Sequence, residues 1–217
     1  MATREHTLAA ILDIGIVPIV RCESREMAHE AARAVVRGGV KALEVTMTVP
    51  GAIKVLESLA DEFGDELTLG AGTVLDPETA RICMLAGAEF MVTPGLNTKT
   101  IEICKRYSKV IIPGVLTPTE VMTAWEAGAN IVKIFPVDNM GGPSYLKALK
   151  APLPQVMMVP TGGVSLDNVA DYFAAGASAV AVGSSMMNTN AMREGRFEVI
   201  EQLASDFKKA VVLARQP

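Results

Sequence analysis

Ala127-Gly128-Ala129-Asn130-Ile131-Val132-Lys133-Ile134-Phe135-Pro136 leads a small glycine turn into a short apolar run that stops at a proline. It reads as a helix exit followed by a buried β-strand over 130–135. Side chains alternate along a strand, so Ile131, Lys133 and Phe135 share one face and Val132 and Ile134 the other. A lysine ammonium in such a run is costly unless it is paired or gives up its proton. As a neutral amine it becomes a nucleophile towards carbonyls, the setting of Schiff-base lysines. The competing reading is a strand-end lysine that snorkels to solvent, and the rest of the chain must decide.

The same turn recurs at Ala86-Gly87-Ala88 and Ala175-Gly176-Ala177, each entering another apolar run. Strand-like segments are expected at Ile16–Val20, Ala42–Thr46, Leu67–Ala71, Phe90–Thr93, Val110–Pro113, Val156–Pro160 and Ala179–Val182, with helical periodicity between them. Thr3 to Asp13 predicts an N-terminal helix, and the stripe Ile200, Leu203, Phe207, Val211 a last one over 197–213. Ser24, Asp76-Pro77 and Thr117-Pro118-Thr119-Glu120 mark helix starts; Gly38-Gly39 marks a stop. Eight strands alternating with helices, apolar on both faces, predict an α/β fold in the form of a closed parallel (β/α)8 TIM barrel. A doubly wound open sheet is the runner-up. No composition shift or linker divides residues 1–217, so one domain is expected.

Bulk properties narrow the function. A net charge of −4 without a basic stripe excludes nucleic acid as the expected partner. Cys22, Cys83 and Cys104 are scattered, an odd count that suits reduced thiols in a cytoplasmic protein. With only His6 and His29 as histidines, neither a histidine metal site nor a triad is expected. The N-terminal apolar stretch is broken by Asp13, Gly15 and Pro18, and predicts neither a secretory signal nor a membrane span.

In barrels of this kind the chemistry gathers at the C-terminal ends of the strands. Glu44 sits inside an apolar strand as oddly as Lys133 does, and two buried groups of opposite sign offset one another's desolvation. A carboxylate beside an imine-forming lysine also provides the proton shuttle that carbanion chemistry needs. Thr161-Gly162-Gly163 and Gly183-Ser184 follow the last two strands, where barrels hold phosphate on backbone N–H groups. The Met157-Met158 and Met186-Met187 pairs read as core filler, and Cys22 as a neighbour of the site at most.

Six segments carry a family likeness: Gly39-Val40-Lys41-Ala42-Leu43-Glu44-Val45-Thr46, Gly70-Ala71-Gly72-Thr73-Val74-Leu75, Thr93-Pro94-Gly95, Ile112-Pro113-Gly114, Val132-Lys133-Ile134-Phe135-Pro136 and Pro160-Thr161-Gly162-Gly163-Val164. In this order the chain resembles the bacterial 2-keto-3-deoxy-6-phosphogluconate (KDPG) aldolases, a family that includes 4-hydroxy-2-oxoglutarate (KHG) aldolases. The resemblance implies a class I, metal-free and cofactor-free aldolase acting on a small keto acid, built as a (β/α)8 barrel and forming a homotrimer. It matches Lys133 to the imine-forming lysine and Glu44 to the acid/base group. Thr73 and Pro94 match the pyruvate pocket, and Thr161, Gly162, Gly163, Gly183 and Ser184 the surroundings of the distal phosphate. One position departs: the family's Glu-Val-Thr-Leu-Arg-Thr is here Glu44-Val45-Thr46-Met47-Thr48-Val49. The resemblance points to Arg21, ending the first strand, as the replacement cation, as in relatives acting on the galactonate-derived substrate. Rival expectations are such a sibling aldolase, one for an unphosphorylated keto acid, a phosphate-binding isomerase, epimerase or thiamine-phosphate-type synthase, and a non-catalytic sugar-phosphate binder.

Overall fold

Thr3 accepts a hydrogen bond from the His6 N–H and starts α1 (Arg4–Ile14), which ends where Gly15 turns left-handed. The computed structural model describes residues 3–216. After α1 the chain alternates β1 (Ile16–Val20), α2 (Arg25–Arg37), β2 (Ala42–Thr46), α3 (Ala52–Phe63), β3 (Thr68–Gly72), α4 (Pro77–Leu85), β4 (Phe90–Val92) and α5 (Thr98–Arg106). It continues with β5 (Val110–Ile112), β6 (Gly114–Val115), α6 (Pro118–Glu126), β7 (Ile131–Ile134), α7 (Pro143–Lys150) and β8 (Met157–Pro160). The last elements are α8 (Val169–Ala174), β9 (Val180–Val182), α9 (Thr189–Arg193) and α10 (Phe197–Ala214). The expected caps form: Ser24 accepts from the Met27 N–H, Asp76 from the Thr79 N–H, and Thr117 with Glu120 makes a reciprocal capping box.

Every strand pairing is parallel, in two curled sheets ordered β5-β4-β3-β2-β1-β9 and β6-β7-β8. The sheets approach each other at both ends. Lys133 N–H donates to the Pro113 carbonyl at 2.9 Å, Ser178 N–H donates to the Met158 carbonyl at 2.9 Å, and Thr161 bridges Ala181. The fifth strand corrects the sequence-based expectation. In place of one strand over Val110–Pro113, the chain makes β5, breaks at Pro113 and resumes as β6 with a new neighbour. Proline has no N–H to continue a ladder, so the break falls there.

Two apolar layers follow from the period-two alternation. Val20, Leu43, Val45, Ala71, Val132, Ile134, Val180 and Val182 face the helices. Val17, Ile19, Phe90, Val92, Val110, Ile112, Ile131, Val159 and Ala181 form the inner layer. Ile11 of α1 belongs to this inner cluster, with Leu8 and Leu12 packed against it, which covers the layer's N-terminal end. Among the described residues no helix is long and apolar enough to cross a membrane.

Candidate active site

Counting on by twos from the inner-layer residues reaches the mouth of the sheets. Ile19 leads to Arg21, Val92 to Pro94, Ile112 to Gly114, Ile131 to Lys133, Val159 to Thr161 and Ala181 to Gly183. A cavity of about 260 Å³ opens there. Of the ten site residues expected from sequence, Arg21, Thr73, Pro94, Lys133, Thr161, Gly162, Gly163, Gly183 and Ser184 line it. Glu44 is not on the wall.

Lys133 is held by β7 opposite Gly114 of β6 and Val159 of β8, and is 7% exposed. Its Nζ lies 4.8 Å from the centroid of the Phe135 ring. This is the inward lysine of the sequence reading, not the snorkelling one. Glu44, 1% exposed, pairs with Ile19 on one side and Gly70 on the other. Gly72 makes room for its carboxylate, since a Cβ there would sit 2.4 Å from Glu44 Oε1. Oε2 has no hydrogen-bond partner among the described residues, and Glu44 forms no ion pair there. Burial pushes the Glu44 carboxyl above its ordinary value, and the charges of Lys133 and Arg21 pull part of the way back.

Around this pair the wall is built from a left-handed turn and a close backbone approach. Thr73 sits at φ 56°, a left-handed conformation that strains a β-branched residue and clusters at functional sites. Pro94 lies so close to Gly114 that a Cβ on the glycine would be 2.4 Å from the Pro94 carbonyl carbon. Arg21 is exposed on the cavity rim and makes no ion pair among the described residues. Thr48 does not reach across the site: its hydroxyl is 2.8 Å from that of Thr46, which in turn donates to the Val20 carbonyl at 3.3 Å.

The opposite end of the cavity is made of turns. Gly162 and Gly163 adopt φ 95° and 73°, and a Cβ on Gly163 would run into Asp138 at 2.5 Å. Asn168 fastens this turn, donating from Nδ2 to the Gly163 carbonyl at 2.8 Å and accepting from the Ser165 N–H at 2.9 Å. The second turn closes when the Met186 and Met187 N–H groups both donate to the Gly183 carbonyl, at 3.0 and 2.9 Å. The N–H groups of Gly163, Val164, Ser184 and Ser185 have no acceptor among the described residues. Four unspent donors at one end make an anion-receptive surface without a cation.

Some wall residues escaped the sequence reading. Phe135 shares the Lys133 face and was legible by period two, but Ser185 and Met187 come from the irregular turn after β9 and Thr189 from the first position of α9, with no such signal. Met187, expected as core filler, is buried and also borders the cavity. Cys22 is half-buried, donates its thiol to the Ser24 carbonyl at 3.4 Å, and lies off the wall.

Known proteins resemble this chain along most of its length. A curated 2-dehydro-3-deoxy-phosphogluconate aldolase of Treponema pallidum is 36% identical over 195 residues, covering 90% of this chain and 92% of that protein. The KHG/KDPG aldolase of Escherichia coli (strain K12) is 34% identical over 198 residues, covering 91% and 92%. The crystal structure of KDPG aldolase from Legionella pneumophila, with pyruvate captured at low pH as a covalent carbinolamine intermediate, has a TM-score of 0.85. It is 32% identical, with 92% of this chain and 96% of that one covered. The family model for KDPG and KHG aldolase matches residues 9–203, and on this match and these identities the chain belongs to the KDPG and KHG aldolase family.

Proposed function

We propose that the protein is a class I aldolase that cleaves 2-keto-3-deoxy-6-phosphogluconate to pyruvate and glyceraldehyde 3-phosphate, and 4-hydroxy-2-oxoglutarate to pyruvate and glyoxylate. The observation that carries this is a buried lysine facing the cavity with a buried carboxylate below it, one of whose oxygens is unpartnered. Lys133 Nζ adds to the C2 ketone, and loss of water gives a protonated imine. Glu44 takes the C4 hydroxyl proton, directly or through a water, as the C3–C4 electrons flow into the imine and the aldehyde departs. Glu44 then returns the proton to C3 of the enamine, and hydrolysis of the imine frees pyruvate. A carboxyl raised by burial suits both halves of this exchange, because its two forms lie closer in energy at working pH.

Thr73 and Pro94 enclose the pyruvate portion in this scheme, and Arg21 meets its carboxylate. Thr161, Gly162, Gly163, Gly183 and Ser184 receive the distal phosphate, supported by the unspent N–H groups of the same turns. The hydrogen bonds joining the two sheets support closure into one (β/α)8 barrel, a single domain that we place in the cytoplasm as a homotrimer. Incubation with pyruvate and borohydride, followed by mass spectrometry, tests the chemistry. A reduced pyruvyl adduct on Lys133, absent in Lys133→Met, is expected; a folded protein that turns over sugar phosphates without an adduct would be an isomerase or synthase instead.

A further inference from the structure

In a parallel ladder each strand donates alternate N–H groups to carbonyls of its neighbour. Between β4 and the fifth strand the rung before the break is ordinary: Thr93 N–H donates to the Ile112 carbonyl at 3.3 Å. The next would run from the Gly114 N–H to the main-chain carbonyl of Thr93. It goes instead to the Thr93 side chain, Gly114 N–H donating to Oγ1 at 3.0 Å. The same hydroxyl spends its proton on the Gly95 carbonyl at 2.6 Å, spanning Pro94. Thr93 is 2% exposed and Gly114 is buried, so water is no substitute partner.

Two working parts meet at this hydroxyl. Its bond to Gly95 fixes the Pro94 turn, a wall of the cavity. Its bond to Gly114 fixes the segment that pairs in register with Lys133, whose own N–H is held by Pro113 at 2.9 Å. Pro94 and Gly114 already touch, so any change in this spacing moves the wall relative to the lysine.

We propose that Thr93 is a positioning residue whose hydroxyl sets the separation between the Pro94 wall and Lys133, and thereby the approach of the keto carbon to Nζ. This rests on Lys133 being the imine-forming group. Thr93→Val deletes the hydroxyl and keeps the shape; Thr93→Ser and Thr93→Ala form a second pair that also differs by the hydroxyl alone. In each pair we measure the borohydride-trapping rate at saturating pyruvate, kcat and KM for cleavage, and the melting midpoint. The members lacking the hydroxyl should trap pyruvate and turn over about 10²-fold more slowly than their partners, as expected for a reacting group misplaced by about 1 Å. A role confined to stability lowers the melting midpoint and leaves the trapping rate of folded enzyme equal within each pair, which overturns the proposal alone. If one pair fails to fold, the other decides. Absence of any wild-type adduct overturns the aldolase reading and the proposal together.

Discussion

Glu44 is the residue at which stability and chemistry pull apart. Its carboxyl is raised from an ordinary 4.5 chiefly by burial, so it binds its proton more tightly folded than unfolded. Ionising it therefore works against folding as pH rises from about 4.5 towards the folded value. Glu44→Gln should melt higher than wild type at neutral pH, with the gain vanishing below the unfolded value. The same variant should still form the pyruvate imine but lose about 10²–10⁴ in kcat. Calorimetry across pH and a steady-state assay check the two halves; wild-type turnover would remove Glu44 from the proton transfer. Arg21 makes a second test. With Thr48 tied to Thr46, Arg21 is the cation left on the rim to meet a carboxylate. Arg21→Ala should raise the pyruvate KM about 10–100-fold, the worth of a charge-assisted hydrogen bond. An unchanged KM would place the carboxylate elsewhere.

At the scale of an element, β3 shows why some glycines were legible as a motif and opaque as a mechanism. Gly70 and Gly72 point to the same inner face two residues apart, yet serve different neighbours. A Cβ on Gly70 would strike the Phe90 ring at 2.2 Å, whereas one on Gly72 would strike the Glu44 carboxylate. Gly70→Ala should therefore cost stability, about 1–3 kcal/mol by overpacking. Gly72→Ala should mainly cost kcat, by displacing the acid. Denaturant melts beside kinetics separate them, and matching effects at both positions would refute the distinction. Sequence periodicity located β1 and β2 to the residue because their apolar runs are bounded by polar or small residues. On β3 it slipped by one, from 67–71 to 68–72, because glycine carries no face. Nothing in Thr93-Pro94 or Pro113-Gly114 announced that a side chain would take over a backbone rung, since that bond joins residues twenty-one apart in sequence.

For the whole molecule, alternation of apolar runs and caps made the α/β layering readable, and period two carried the inner face outward to Lys133 and Thr161. What the sequence could not show was distance: that Glu44 and Lys133 sense one another follows only once the sheets curl. Assembly is the remaining question at this scale. Ile82 and Leu85, three apart on α4, are 51% and 70% exposed, and Leu75 before the same helix is 62% exposed. Large apolar groups grouped on one helix suit a face covered by another copy of the chain. Leu75 is two residues from Thr73, so covering this face would also brace the strained cavity turn. Leu85→Asp should therefore shift sedimentation from three chain masses towards one, and the dissociated protein should show a raised KM for pyruvate with Lys133 trapping retained. A wild-type protein that sediments as a monomer would end the trimer proposal; an unshifted Leu85→Asp would move the interface off α4.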